Sequence, residues 1–400
     1  MNEFDVAAPA AAQSNGCNKG GPGRSTARAS GSRTTRIAFF GFYGRRNFGD
    51  DLFGYLLQSI SLRARGIEPL IVGASPAQEL THSFHLPGAP GLWMRRGGVG
   101  AAVRSVTYVA AMLSARAAIF GGGSLFGANA SLSFAKLIVR LGRRLSKPVA
   151  ALGVSVGPFA SAERRSAFEA VLRDIPYVAV RDEASVRLVA EVTGSAPVNL
   201  RDLAFALPAI YTPKRRPSDR RTLIVSIHLR QYTDAVLAIL AYVDSQRLVD
   251  EVLFVSLDEE SVAVTGDIAR LFSPSNVSVE RFRYGDSITA VVDLLAAAAC
   301  VVTSKLHGAI VSFVYDVPTM LFCYQPKCAE FLRDNGLPGP HEPLPVEDVC
   351  VDHVARLLTR ETTKARYGDA EWYRDRFTDF IADVGNGGHA RLPLSDEVVG

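Results

Sequence analysis

The stretch ACVVTSKLHGAIVSFVYDVPTMLFCY, residues 299–324, decides the fold. Cys300 to Thr303 is an apolar run with the β-branched character of a buried strand, and Val317 to Phe322 reads as a second such strand. Between them a helix opens at Ser304, Lys305 and His307, so the unit is strand, helix, strand, which demands a parallel sheet. Backbone N–H groups at a helix mouth lack intrahelical partners and carry partial positive charge. A cation and an imidazole beside them invite an anion such as a phosphate or a carboxylate.

Working outward, the same alternation runs from Arg36 onward. Ile37–Phe40, Pro69–Val72, Ala117–Phe120, Val149–Leu152 and Tyr177–Val180 form one series of strands. Thr222–Ile227, Val252–Ser256, Val277–Val279, Cys300–Thr303 and Pro318–Phe322 form another. Pro208 to Arg221 holds three prolines and a cluster of Lys and Arg, which suits neither a helix nor a central strand and reads as a linker at 208–221. The expected class is therefore α/β, with two Rossmann-like, doubly wound domains at 35–207 and 222–362 facing each other across a cleft. Ligands in such sheets bind beyond the carboxyl ends of the strands. Glu347–Leu358 and Ala370–Asp383 have helical period; a C-terminal helix and tail occupy 363–400, and the terminal helix could brace the first domain.

Composition excludes several classes. The net charge of +4 is small beside 84 charged side chains, so no nucleic acid partner is expected. Cysteines 17, 300, 323, 328 and 350 form no Cys-x-x-Cys pair, which points to a reduced, cytoplasmic setting. No window reaches the roughly 18 apolar residues of a membrane span, so any membrane contact is peripheral. Arg95, Arg96 and Arg104 beside Trp93 and Met94 could meet a lipid surface or form a plain surface loop. Residues 1–34, rich in Ala, Gly and Ser, are expected to be disordered. The seven His residues show no ligand spacing, so no metal and no cofactor are expected.

Three glycine-bearing segments follow strands on what should be one rim. The first, Gly41 to Asp51, ends in Asn47, Phe48, Gly49 and Asp50, with Asp50 placed either to cap the next helix or to act in catalysis. Gly121, Gly122 and Gly123 allow a ligand to lie almost on the backbone, or else make a tight turn. Gly153 to Pro158, including Ser155 and Gly157, repeats the arrangement. Arg181 ends a strand and either binds an anion or pairs with a carboxylate. Arg230 is expected at the carboxyl end of the first strand of the second series, the rim for a donor phosphate.

Taken together and in order, Tyr43 to Asp50, Gly121 to Gly123, Gly153 to Pro158, Arg181 to Ser185, Asp202 to Phe205, Leu306 to Gly308, Pro318 and Tyr324 to Lys327 resemble the motifs of the polysaccharide pyruvyl transferases. The resemblance implies a glycosyltransferase B type fold and phosphoenolpyruvate as co-substrate. It also implies a glycan or lipid-linked oligosaccharide acceptor, a pyruvate ketal product with release of phosphate, and peripheral association with the inner face of the cytoplasmic membrane. It places Lys305, Leu306, Gly308, Tyr324 and Lys327 at the donor, with Lys305 standing where the family has Arg, a point charge in place of a planar fork. Arg181 or Arg230 would supply that fork. His307 becomes the general acid or a phosphate contact, and Asp50 the acceptor of a hydroxyl proton. Two rival readings remain: a nucleotide-sugar-dependent glycosyltransferase, for which Asp258, Glu259 or Glu260 would grip a ribose, and a non-catalytic glycan-binding relative.

Overall fold

In the computed structural model the described residues are 34–73, 77–86, 90–95, 97–128, 130–214, 220–285, 287–337, 347–359 and 368–387. The N-terminal segment expected to be disordered lies outside them but for its last residue.

Two all-parallel sheets organise the chain. The first contains β1 (Thr35–Phe40), β2 (Ile67–Val72), β3 (Ser83–Phe84), β4 (Ala117–Phe126), β5 (Val149–Val156), β6 (Tyr177–Val180) and β7 (Val198–Asn199), in the order β3-β2-β1-β4-β5-β6-β7. The second contains β8 (Thr222–Ser226), β9 (Glu251–Ser256), β10 (Ser278–Arg283), β11 (Cys300–Thr303) and β12 (Thr319–Leu321), in the order β10-β9-β8-β11-β12. Strand order reverses between β1 and β4 and again between β8 and β11, the switch points at which doubly wound sheets bind ligands. The two Rossmann-like sheets expected from the sequence are present.

Burial explains why the strands form. Every residue of β5, β8, β9 and β11 is buried, as strands covered by helices on both faces must be. The edge strand β10, by contrast, exposes Glu280, Arg281 and Arg283, charges that discourage pairing with another chain. β4 runs six residues past its expected end, so the three glycines lie within a strand and not in a loop.

A continuous apolar core joins the facing helices of the two sheets, with Leu52, Leu56 and Ile60 in the same cluster as Leu253, Val292 and Ile310. Leu203–Ala209 is a 3-10 helix that takes in Pro208 and is buried in this core. Tyr211 and the Lys214 N–H then both reach Asp293, each at 2.8 Å. The helix Ala370–Gly385 crosses back to the first sheet, burying Phe377, Phe380, Ile381 and Val384 against Ile37 and Ile67. Each such side chain contributes about 1.5–3 kcal/mol of transfer free energy.

Polar contacts also tie the halves. Glu79, from the first, accepts hydrogen bonds from the Ser287 and Thr289 hydroxyls and from the N–H groups of Ile288 and Thr289 at the start of the helix Ile288–Ala296. These bonds outweigh the effect of burial and hold its carboxyl below the usual range. Among the described residues no helix is long and apolar enough to cross a membrane.

Candidate active site in the cleft between the sheets

The two switch points face each other across a cleft of about 750 Å³. From the first sheet come Asn47, Gly49, Asp50, Gly123, Ser124, Ser155, Gly157, Arg181 and Asp182. The second contributes His228, Asp258, Glu260, Lys305, Leu306, His307, Tyr324 and Lys327. Of the catalytic, donor and cleft-loop residues singled out from the sequence, Gly121, Gly122, Gly308 and Arg230 do not line it.

Each exception has a physical reason. A Cβ on Gly121 would lie 2.3 Å from Leu57, and one on Gly122 2.6 Å from Phe53, so these glycines let the helix Phe48–Arg63 lie close on β4. Gly122 also has φ +73°, where a side chain is strained. Gly308 packs against Leu257 and Thr303. Arg230 begins a 3-10 turn that carries it away; its side chain is 71% exposed and pairs with Asp267 at 2.7 Å. The site residue the sequence reading passed over is His228, two residues earlier and lining the cleft. Its place just beyond the carboxyl end of β8 was the available signal.

Asp50 does not cap its helix. Asn47 does, its side chain accepting the Gly49 N–H at 3.1 Å, which leaves the Asp50 carboxyl in the first turn and turned to the cleft. Burial, reinforced by the neighbouring Asp51 charge, raises its pKa to about 7, against the opposing pull of Arg45, Lys327 and Arg181. Asp51 itself is held structurally, accepting the Gly44 N–H at 2.6 Å and the Tyr284 hydroxyl at 2.8 Å.

His307 lies over Gly49, and its ring meets Phe53 edge-on with centroids 4.7 Å apart. A Cβ at position 49 would fall 1.8 Å from its Nδ1, so Gly49 exists to admit this ring from the opposite half. Gly49→Ala should cost about 1–3 kcal/mol of stability by overpacking, read in urea denaturation; an unchanged midpoint would show that the ring yields freely. Burial and the positive charges of Arg181, Lys327 and Lys305 hold the His307 pKa well below its ordinary value. Near neutral pH the imidazole is therefore uncharged. Its buried Nε2 has no hydrogen-bond partner among the described residues and lies 3.9 Å from Asp202.

The cations differ in availability. Arg181 is buried and committed to Asp202 at 3.0 Å and Ser155 at 2.6 Å, so it pairs with a carboxylate while still lining the cleft. Lys305 is paired with Asp258, with Glu260 at 3.7 Å. Asp258 is further engaged as the cap of the helix Glu259–Leu271, and Glu259 pairs with Arg283 at 2.5 Å. That leaves Glu260, 81% exposed, as the acid best able to meet a ligand hydroxyl. Lys327 lies 5.8 Å from the Tyr324 ring centroid, and burial together with Arg181 lowers its pKa. His228 shares a 2.6 Å hydrogen bond with Ser304, and burial with the Lys305 charge brings its pKa down to about 4.

Residues 47–326 match a family model described as polysaccharide pyruvyl transferase. A search of curated proteins found no match. Among solved structures the chain is similar to an S. aureus MnaA co-structure with UDP (TM-score 0.59, 10% identity, 88% of this chain and 97% of that one). It is also similar to a Rickettsia bellii UDP-N-acetylglucosamine 2-epimerase (0.54, 12%, 89% and 98%). A third is the Methanocaldococcus jannaschii UDP-GlcNAc 2-epimerase in complex with UDP-GlcNAc and UDP (0.53, 11%, 87% and 98%).

These findings correct the donor. Phosphoenolpyruvate, and with it the pyruvate ketal on a glycan or lipid-linked oligosaccharide, was expected from the resemblance; the similar solved chains named above are a UDP co-structure and two UDP-N-acetylglucosamine 2-epimerases. The cleft, at about 750 Å³, has room for far more than a three-carbon acid.

Proposed function

Since the chain belongs to the polysaccharide pyruvyl transferase family, we propose that this member uses that family's cleft to bind a nucleotide sugar and transfer its sugar to a hydroxyl group. The single observation that carries the reading is the Asp50 carboxyl, with a pKa of about 7, facing the mouth of the helix Leu306–Val314 across a cleft of about 750 Å³. A carboxyl poised near neutral pH is suited to proton transfer. The opposite wall supplies what a diphosphate needs.

In this reading the diphosphate lies against the helix mouth, where backbone N–H groups, Lys305 and Lys327 offset its charge. Glu260 accepts from the ribose hydroxyls, and Tyr324 flanks the base. His228 and His307, both uncharged, hold hydroxyls or phosphate oxygens by neutral hydrogen bonds. Asp50 takes the proton of the attacking hydroxyl as the nucleotide diphosphate leaves. No metal or cofactor enters the proposal. We place the reaction in the cytoplasm, in keeping with the free, buried thiols of Cys300, Cys323 and Cys328.

Thermal shift tests it. UDP and UDP-N-acetylglucosamine at a hundred times their dissociation constants should each add about 2.7 kcal/mol, and phosphoenolpyruvate should add nothing. Stabilisation by phosphoenolpyruvate alone would overturn the reading. Release of UDP on adding a diol-bearing sugar acceptor separates transfer from inversion at a sugar carbon.

A further inference from the structure

The helix Gly98–Ser114 carries an apolar stripe on its solvent side. Val99, Val106 and Leu113 recur every seven residues and are 54%, 54% and 60% exposed, and Leu92 nearby is 40% exposed. Side chains at that spacing share one face of a helix. The opposite face is spent on the core, where Tyr108 and Met112 pack with Trp93, which is itself buried and not a surface anchor.

Charge around the stripe is one-sided. Between Glu79 and Glu163 the chain has nine Lys and Arg and no acidic residue at all, although it is only +4 overall. Two helices of this stretch lie side by side. The helix Leu132–Arg144 lies beside Gly98–Ser114 in the same layer and exposes Arg140, Arg143 and Arg144, while Arg95 and Arg116 are exposed near the two ends of the first helix. Lys147 donates to the carbonyls of Met112, Leu113 and Ala115 at the stripe's far end.

From this pairing of an exposed apolar stripe with a predominantly basic surround, in which Asp174 pairs with Arg143 at 4.0 Å, we infer that this face of the first sheet's helical layer seats on an anionic lipid bilayer. The apolar stripe enters the headgroup region and the arginines meet the lipid phosphates. A second copy of the chain is the poorer occupant, because two such faces would bring like charges together. The helix runs antiparallel to the parallel strands it packs on, so its Val99 end lies towards the rim that carries the cleft. The inference is independent of which ligand the cleft takes.

The test is co-sedimentation of the full chain with vesicles of phosphatidylglycerol and phosphatidylcholine, beside vesicles of phosphatidylcholine alone. The protein should sediment with the anionic vesicles, stay in solution with the neutral ones, and be released by salt. Val106→Glu combined with Leu113→Glu should reduce binding on the order of tenfold or more, and Arg140→Gln about fivefold. Both variants change exposed positions and should keep the parent's melting temperature. Absence of binding to the anionic vesicles would overturn the inference, as would equal binding by the Val106→Glu, Leu113→Glu variant. So would a concentration-dependent dimer abolished by that variant, which would give the face to a second copy.

Discussion

Asp50→Asn is expected to lower turnover of the nucleotide sugar by about 10²–10⁴-fold while leaving its binding nearly unchanged. The parent enzyme should show kcat/KM rising with pH through about 7, because a general base works only when deprotonated and Asp50 titrates there. The variant's residual activity should lack that limb. Stability moves the other way. An acid whose pKa is raised by folding binds more protons in the native state, so the parent loses stability as pH rises from the ordinary carboxyl range to about 7. The asparagine carries no such charge, so its melting temperature at pH 8 should match or exceed the parent's. An inactive variant that is also unstable at pH 8 would make Asp50 a structural residue and remove it from the chemistry.

Arg181→Met should be the most damaging single change to the fold, at about 3–5 kcal/mol in urea denaturation. It strands the Asp202 carboxyl, whose side chain is 5% exposed, and takes a donor from Ser155. Burial already raises the Asp202 pKa, so in the variant this group will take up a proton more readily. The loss should accordingly be smaller at pH 5 than at pH 8. Adding Asp202→Leu removes the orphaned charge and should restore part of the stability, the mark of a coupled pair. A loss under about 1 kcal/mol at pH 8 would show that the pair has the weight of a surface contact.

How much of this could be read beforehand depended on the kind of signal. The two sheets were legible because strands buried on both faces leave unbroken apolar runs, as in Val149–Val156 and Cys300–Thr303. Ser83–Phe84 and Val198–Asn199 are too short to leave a pattern. In the site, residue types and their order were legible, but pairings across long sequence separations were not. Nothing near Lys305 announces Asp258, and nothing near Gly49 announces the His307 ring it accommodates. The charge state of His307 was not legible for the same reason, since burial and three cations gathered by the fold set its pKa. Arg230 was expected in the cleft and His228 was not, because the 3-10 turn that begins at Arg230 leaves no periodic trace.

The opening turn of the helix Phe48–Arg63 is gripped by the second half on both sides of Asp50. The Phe48 N–H donates to the Leu257 carbonyl at 2.9 Å, and Asp51 receives the Tyr284 hydroxyl at 2.8 Å. The proposed proton acceptor thus sits on backbone bonded directly to the opposite half. Any rocking of one sheet against the other would carry the Asp50 carboxyl with it, so the opening of the cleft and the aim of that group would be set by the same movement.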